Sequence, residues 1–123
     1  MSLLLFFLIC LSVTLSALAQ IMLKHGMSAP LVQFALQQAW PTAAYAVVTN
    51  LYIVGGLALY ALGAMVWLAV LARVDVSLAY PFVAVGFLLT MILAILMLGE
   101  AVSPTRMVGT VLIAVGALLV AKS

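Results

Sequence analysis

Four long apolar runs constrain the fold of this chain more than any other feature of its sequence. They cover about residues 3–23, 51–72, 76–98 and 105–121, and a charged residue or a proline bounds each one. A helix needs roughly 20 apolar residues, with a range of about 17–25, to cross a hydrocarbon core about 30 Å thick. The runs therefore predict an all-α integral membrane protein, a single domain of four transmembrane helices over residues 1–123.

The composition excludes several other classes of protein. The chain is 70% hydrophobic and only 5% charged, whereas an ordinary soluble domain is about 25% charged. A net charge of +2 gives no basic surface for nucleic acid, and the single cysteine, Cys10, cannot form an internal disulfide framework. No paired histidines, metalloprotease motif or glycine-rich phosphate loop occurs, so we expect no metal, no cofactor and no enzyme.

The first run has a second interpretation, because it also resembles a secretory signal. Ala17 and Ala19 satisfy the small-x-small rule for cleavage. However, no Lys or Arg precedes the apolar run, and the run continues through Leu23. We expect the segment to be retained as the first transmembrane helix.

The longest connection, residues 24–50, is too polar to span a membrane and too apolar for a free linker. It holds two prolines and three glutamines together with Trp40 and Tyr45. A short helix in the headgroup region, anchored by these two aromatic residues, is the expected structure. Alternatively, the part from Thr42 extends the second span at its start.

The other two connections are short. Arg73-Val74-Asp75 is so short that the second and third spans must be antiparallel neighbours. Before the fourth span, Gly99 is typical of a helix end, Ser103 of an N-cap and Pro104 of a first helical position.

Positive charges do not fix the orientation of the chain in the membrane. Arg73 and Lys122 fall on one side of the predicted bundle, and Lys24 and Arg106 fall on the other. Because the Lys and Arg bias of short loops sets orientation, this balance is compatible with insertion both ways and pairing with an inverted copy. It is equally compatible with a weak bias that a partner or the helix hydrophobicity overrides.

A polar stripe runs along the first span. Ser12, Ser16, Gln20 and Lys24 follow one another at steps of four residues, so they form one slanted line on a helix. Such polar groups face protein or a cavity and not lipid. For the two serines we favour hydrogen bonds between helices, and for Gln20 and Lys24 a binding surface.

Two further candidates lie in the second half of the chain. Pro81 removes a backbone donor early in the third span, which leaves a polar notch beside Tyr80, although Tyr80 also fits an ordinary interfacial tyrosine. Glu100 is the only glutamate. It either caps or neutralises the start of the fourth span, where Arg106 and the helix dipole favour a carboxylate, or holds a proton or a cationic group.

Gly109 and Gly116 lie seven residues apart in the fourth span. Seven residues return a helix to nearly the same face, so these glycines predict a smooth stripe for close helix packing or dimerisation. The sequence leaves open whether the partner helix belongs to the same chain.

Taken in order, these motifs resemble a known family. Ser16-x-x-x-Gln20-x-x-x-Lys24, the Ala-Tyr-Pro sequence at Tyr80 and the Glu-x-Val-Ser-Pro sequence at Glu100 occur with similar spacing in the small four-helix branch of the drug/metabolite transporter superfamily. Within that branch the chain is most similar to subunits of the 4-amino-4-deoxy-L-arabinose-phosphoundecaprenol flippase. The resemblance covers nearly the whole chain.

The small multidrug resistance exporters are a neighbouring group. They carry a membrane-embedded glutamate in the first helix, and this chain has Ser16 at the corresponding position. The aromatic residue that usually follows the third-span tyrosine is replaced by Val83. A proton-coupled exporter of organic cations is therefore the second hypothesis, and a non-transporting accessory membrane subunit is the third.

The resemblance implies a dimeric flippase, homomeric or paired with a related four-helix subunit, in the bacterial inner membrane. Its substrate would be a polyprenyl-phosphate-linked sugar. Lys24 and Arg73 would attract the phosphate, Glu100 would meet an amino substituent, and sugar hydroxyls would bind three polar side chains: Ser16, Gln20 and Tyr80.

Overall fold

The computed structural model describes residues 3–123 as a bundle of helices, four of which are long and apolar enough to cross a membrane. The first span is α1 (Leu3–Met27), the second is α4 (Leu51–Leu71) and the fourth is α7 (Pro104–Lys122). The third span has three parts: α5 (Val76–Ala79), a 3₁₀ turn (Tyr80–Phe82) and α6 (Val83–Leu98). Two short helices, α2 (Pro30–Ala35) and α3 (Trp40–Val48), lie between α1 and α4. The predicted all-α membrane fold is confirmed.

The connection between the first two spans differs in detail from the prediction. It holds two short helices where the sequence suggested one, and α1 continues about one turn further, to Met27. The alternative in which Thr42 begins an extension of the second span is wrong. Asn50 leaves the helical conformation and its side chain accepts the Ile53 backbone N–H at 3.1 Å, so it caps α4 as a separate helix.

Local backbone signals set the ends of the last two spans as predicted. Gly99 ends α6 with φ of 67°, a left-handed conformation that glycine adopts without steric cost. Ser103 caps α7, because its Oγ accepts the Arg106 backbone N–H at 3.1 Å, and Pro104 takes the first helical position. The short segment between Gly99 and Ser103 makes α6 and α7 antiparallel neighbours.

The third span is broken near its start. Pro81 lies in the 3₁₀ turn between α5 and α6, where its missing N–H is tolerated. Val83 N–H then bonds to the Tyr80 carbonyl in the tighter pattern of a 3₁₀ helix. Tyr80, the first residue of this turn, is 64% exposed and lines a cavity next to the third span.

α1 is the central helix of the bundle. It packs along α4 on one side and against α6 on another. The main contacts of α7 are with α6 and the Tyr80–Phe82 turn. Gly56 and Gly63 of α4, seven residues apart, permit the close approach to α1. A Cβ at Gly56 would lie 2.9 Å from Leu23 Cγ, and one at Gly63 would lie 3.2 Å from Leu15 Cβ.

Candidate functional site

A first cavity of about 330 Å³ lies between α1, α4 and the third span and is partly open, since Tyr60, Tyr80 and Phe87 of its lining are exposed. Its lining carries hydroxyl, amide and aromatic groups but no charged side chain. The residues are Ser12, Val13, Ser16, Ala17, Gln20, Tyr60, Gly63, Ala64, Trp67, Tyr80, Val83, Gly86, Phe87 and Thr90. Such a surface suits a neutral polar ligand with an apolar side.

The two serines of the polar stripe have different environments at this cavity. Ser12 is 3% exposed and its Oγ donates to the Gly63 carbonyl of α4 at 2.8 Å. The predicted hydrogen bond between helices is thereby confirmed for Ser12. Ser16, one turn further along α1, is half-buried and lines the cavity.

A second cavity of about 490 Å³ opens at the end of the bundle where α1 ends and α7 begins. Three charged side chains line it: Lys24 from α1, Glu100 from the loop after α6 and Arg106 from the first turn of α7. The remaining lining is neutral and mainly apolar: Gln20, Ile21, Phe87, Thr90, Met91, Ala94, Leu98, Val102 and Thr110. Two cations and one anion leave this cavity with a net positive charge.

The two cavities adjoin one another. Gln20, Phe87 and Thr90 line both of them, so these three side chains form the junction. Along α1, the step from Ser16 to Lys24 covers about 12 Å at the rise of an α-helix. A head group of sugar-phosphate size can therefore contact the uncharged cavity and the charged cavity at the same time.

Arg73 lies at the opposite end of the bundle and lines neither cavity. Its Nη1 donates to the Ala69 carbonyl at 2.7 Å. Val70, three residues before it, packs in a cluster with Leu5 near the start of α1. The helix from Leu5 to Lys24 rises about 28 Å, so the structure separates the two cations that the sequence analysis grouped at one phosphate.

Gly109 and Gly116 both present an open Cα face on the surface of α7. A Cβ at either position would have no atom within 4 Å apart from its chain neighbours and the nearby backbone of α7. Their stripe is open on α7, so a helix that packs there must come from another polypeptide. The glycine pair that packs within this chain is Gly56 and Gly63, which the sequence analysis did not single out.

The sequence analysis also missed several residues of the two cavities. Tyr60 and Trp67 line the first cavity from α4, on either side of Gly63. Their spacing at i, i+3 and i+7 is that of one helix face, which was the available signal. No sequence pattern marks Thr90 or Arg106 as a cavity residue, because only the packing of α6 and α7 in the bundle places them in cavities that α1 also lines.

Comparison with curated proteins gives three relatives, all flippase subunits. The probable 4-amino-4-deoxy-L-arabinose-phosphoundecaprenol flippase subunit ArnF of Aeromonas salmonicida is 34% identical over 114 residues, which cover 89% of this chain and 73% of that subunit. The chain belongs to this family of flippase subunits. The family membership predicted from the sequence is thereby confirmed.

Two ArnE subunits, with the same flippase in their names, match over shorter segments. The subunit of Pseudomonas savastanoi pv. phaseolicola is 42% identical over 55 residues, and that of Pseudomonas aeruginosa is 39% identical over 62 residues. These segments cover 45% and 50% of this chain, and they span only about half of each relative, 48% and 54%. No family model matches the chain, and no solved structure matches it.

Proposed function

We propose that this protein is a subunit of an inner-membrane flippase that moves a polyprenyl-phosphate-linked sugar across the bilayer, and that it acts as a transporter and not as an enzyme. The names of its relatives support this class of substrate. The observation that carries the proposal is the pair of adjoining cavities, one uncharged and one positively charged. They match the two chemical parts of such a head group.

The first cavity is proposed to take the sugar. Ser16, Gln20 and Tyr80 offer hydroxyl and amide groups that can replace the water lost by sugar hydroxyls in the membrane. Trp67 of α4 also lines this cavity and could offer an apolar surface to the sugar ring. The polyprenyl tail would stay in lipid.

The second cavity is proposed to take the phosphate at Lys24. A cation that lies where a helix leaves the membrane pairs strongly with a phosphate oxygen. Glu100 in the same cavity could meet an amino substituent of the sugar. A role for Arg73 would require the phosphate to reach the opposite end of the bundle.

Two subunits are proposed, either two copies or this chain with a related four-helix subunit. Few residues of the last two spans are buried within the chain: Ala79, Ala84 and Ala94 of the third span, and Ala114 and Ala117 of α7. Their exposed faces are available for a second subunit as well as for lipid. A pair of small bundles also supplies the repeated halves on which transporter architectures depend.

Translocation by the reconstituted protein tests this function. Lys24→Ala and Gln20→Leu should each reduce the flipping of a fluorescent polyprenyl-phosphate-linked aminosugar by about tenfold or more, because each removes a charge-assisted or amide contact to the head group. Lys122→Ala is the matched control, since Lys122 is exposed and lines neither cavity. Wild-type rates in both cavity variants would contradict the proposal.

A proton-coupled exporter of organic cations is the second candidate. Glu100 favours it, because this acid lines a cavity where it could hold a cation or a proton in turn. Proteoliposomes that exchange protons for quaternary ammonium compounds, with the exchange lost in Glu100→Gln, would make the exporter the better assignment. Cells that lack the protein and remain resistant to these compounds would support the flippase.

A further inference from the structure

Arg106 is a charged residue of the second cavity to which the sequence analysis gave no part in binding. Its backbone is fixed at both sides: its N–H bonds to Ser103 Oγ at 3.1 Å, and its carbonyl accepts the Thr110 hydroxyl at 2.9 Å. Its side chain is exposed and lines the cavity that Lys24 also lines. The cap and the first turn of α7 therefore fix the Arg106 backbone at the same end of the bundle as Lys24.

The two cations belong to helices that share no main interface. α1 packs on α4 and α6, whereas α7 packs on α6 and the Tyr80–Phe82 turn. Lys24 and Arg106 are both exposed and both line the same open cavity of about 490 Å³. Glu100, the acid in this cavity, can offset only one of the two positive charges, so a further anion is needed to neutralise the other.

We infer that Lys24 and Arg106 together bind one phosphate group and that this phosphate joins α1 to α7. A guanidinium can give two parallel hydrogen bonds to phosphate oxygens, and the ammonium group can contact a third oxygen as a point charge. The inference rests on the proposed function for its substrate class and adds to it a second phosphate ligand, Arg106. It also assigns α7 a role in closing the site.

The charge of the cavity favours one phosphate over a cationic ligand. Lys24, Arg106 and Glu100 give it a net charge of +1. A sugar-linked polyprenyl phosphate is a phosphodiester with a single negative charge, and polyprenyl phosphate without the sugar is a monoester with about −1.5 to −2, so the positive surplus attracts both. An organic cation would enter against the same surplus.

The apolar part of the cavity favours a lipid phosphate over a free one. Ile21, Met91 and Leu98 line the same space as the cations. These side chains offer nothing to a hydrated inorganic anion, but they can contact the first units of a prenyl chain. The phosphate bound here is therefore that of a lipid head group.

Binding of polyprenyl phosphate without a sugar, measured by native mass spectrometry or titration in nanodiscs of neutral lipid, tests the inference. Lys24→Gln and Arg106→Gln should each weaken binding by about tenfold, and Arg106→Lys should recover part of the loss. The double variant should lose less affinity than the two single fold-losses multiplied together, because the two residues share one ligand. Arg73→Gln and Lys122→Gln are controls of equal charge change and should stay within about twofold.

A distance measurement tests the joining of the two helices. Spin labels at Ser28→Cys and Met107→Cys, in a Cys10→Ser background, report the separation between the end of α1 and the start of α7. Polyprenyl phosphate should shorten this distance, and Arg106→Gln should abolish the shortening. An unchanged distance upon saturation with the lipid would overturn the joining of α1 to α7.

Other outcomes would overturn the binding site itself. Wild-type binding in Arg106→Gln would leave Lys24 as the sole ligand, and equal losses in all four glutamine variants would indicate only the overall charge of the protein. Competition by inorganic phosphate as effective as that by the lipid would overturn the lipid source. Since the assay involves no translocation, the expected binding pattern with no flipping would refute the proposed function alone.

Discussion

At the scale of single residues, Ser12 and Ser16 show how one helical turn separates a structural role from a candidate binding role. Both are small hydroxyl side chains on the same stripe of α1. Ser12 is buried against α4, and its hydroxyl donates a hydrogen bond to the Gly63 carbonyl. Ser16 lines the first cavity and is only half-buried, so its hydroxyl is available to a ligand.

This difference predicts opposite effects of two alanine substitutions. Ser12→Ala should lower the free energy of unfolding by about 0.6 kcal/mol, the average for a hydrogen bond between membrane helices, and should leave translocation per folded molecule near the wild-type rate. Ser16→Ala should leave stability unchanged and reduce translocation. Unfolding in detergent and flipping in proteoliposomes measure the two effects, and a loss of translocation in Ser12→Ala with normal Ser16→Ala would reverse the assignment.

At the scale of elements, two helices carry glycines seven residues apart, and they use them differently. Gly56 on α4 lies against α1, where a Cβ would come within 3.1 Å of the Ala19 carbonyl. Gly116 on α7 has no neighbour within 4 Å of the same position. The first pair holds the bundle together, and the second pair presents an open surface.

Matched substitutions in these two helices test the distinction. Gly56→Val should destabilise the chain by about 1–3 kcal/mol, because extra methyl groups in a packed interface force helices or side chains to shift. Gly116→Val should leave the stability of the single bundle within about 0.5 kcal/mol and weaken association with a second subunit. Unfolding curves and the oligomeric mass in detergent distinguish the two, and equal destabilisation by both variants would contradict this division.

At the scale of the whole molecule, the positive charges are balanced between the two ends. Lys24 and Arg106 line one cavity at one end of the bundle. Arg73, just after α4, and Lys122, the last residue of α7, lie at the other end. The balance expected from the sequence is therefore present in the folded chain. Short-loop Lys and Arg bias is the main determinant of orientation, and here it is close to zero.

Added charge at one end should therefore bias the orientation. Ala121→Lys with Ser123→Lys should move the C-terminus toward the cytoplasmic side, as the positive-inside rule requires. A reporter fused to the C-terminus, or labelling of engineered cysteines from each side, measures the fraction in each orientation. A wild-type population found in one orientation only would remove the motivation for an inverted pair of identical subunits.

The sequence by itself determined the elements of this protein. The four spans, the helix stop at Gly99 and the cap at Ser103 occur where the sequence predicted them, although the first span continues to Met27 and the connection after it holds two short helices. These features depend on the length of apolar runs and on local backbone preferences, which involve residues close together in the chain. The family also followed from motif order, because spacing along the chain is enough to reveal it.

Only the tertiary structure decided which of these residues meet. The order of the spans already put Arg106 on the side of Lys24 and Arg73 on the other side, but only the folded bundle brings Arg106 to the cavity that Lys24 lines. It also brings Thr90 and Gln20 together at the junction of the two cavities. All of the spans are apolar around most of their surface, so hydropathy does not mark the faces that touch. Contacts between membrane helices depend on close van der Waals packing at small residues such as Gly56, and that packing is a property of the folded bundle.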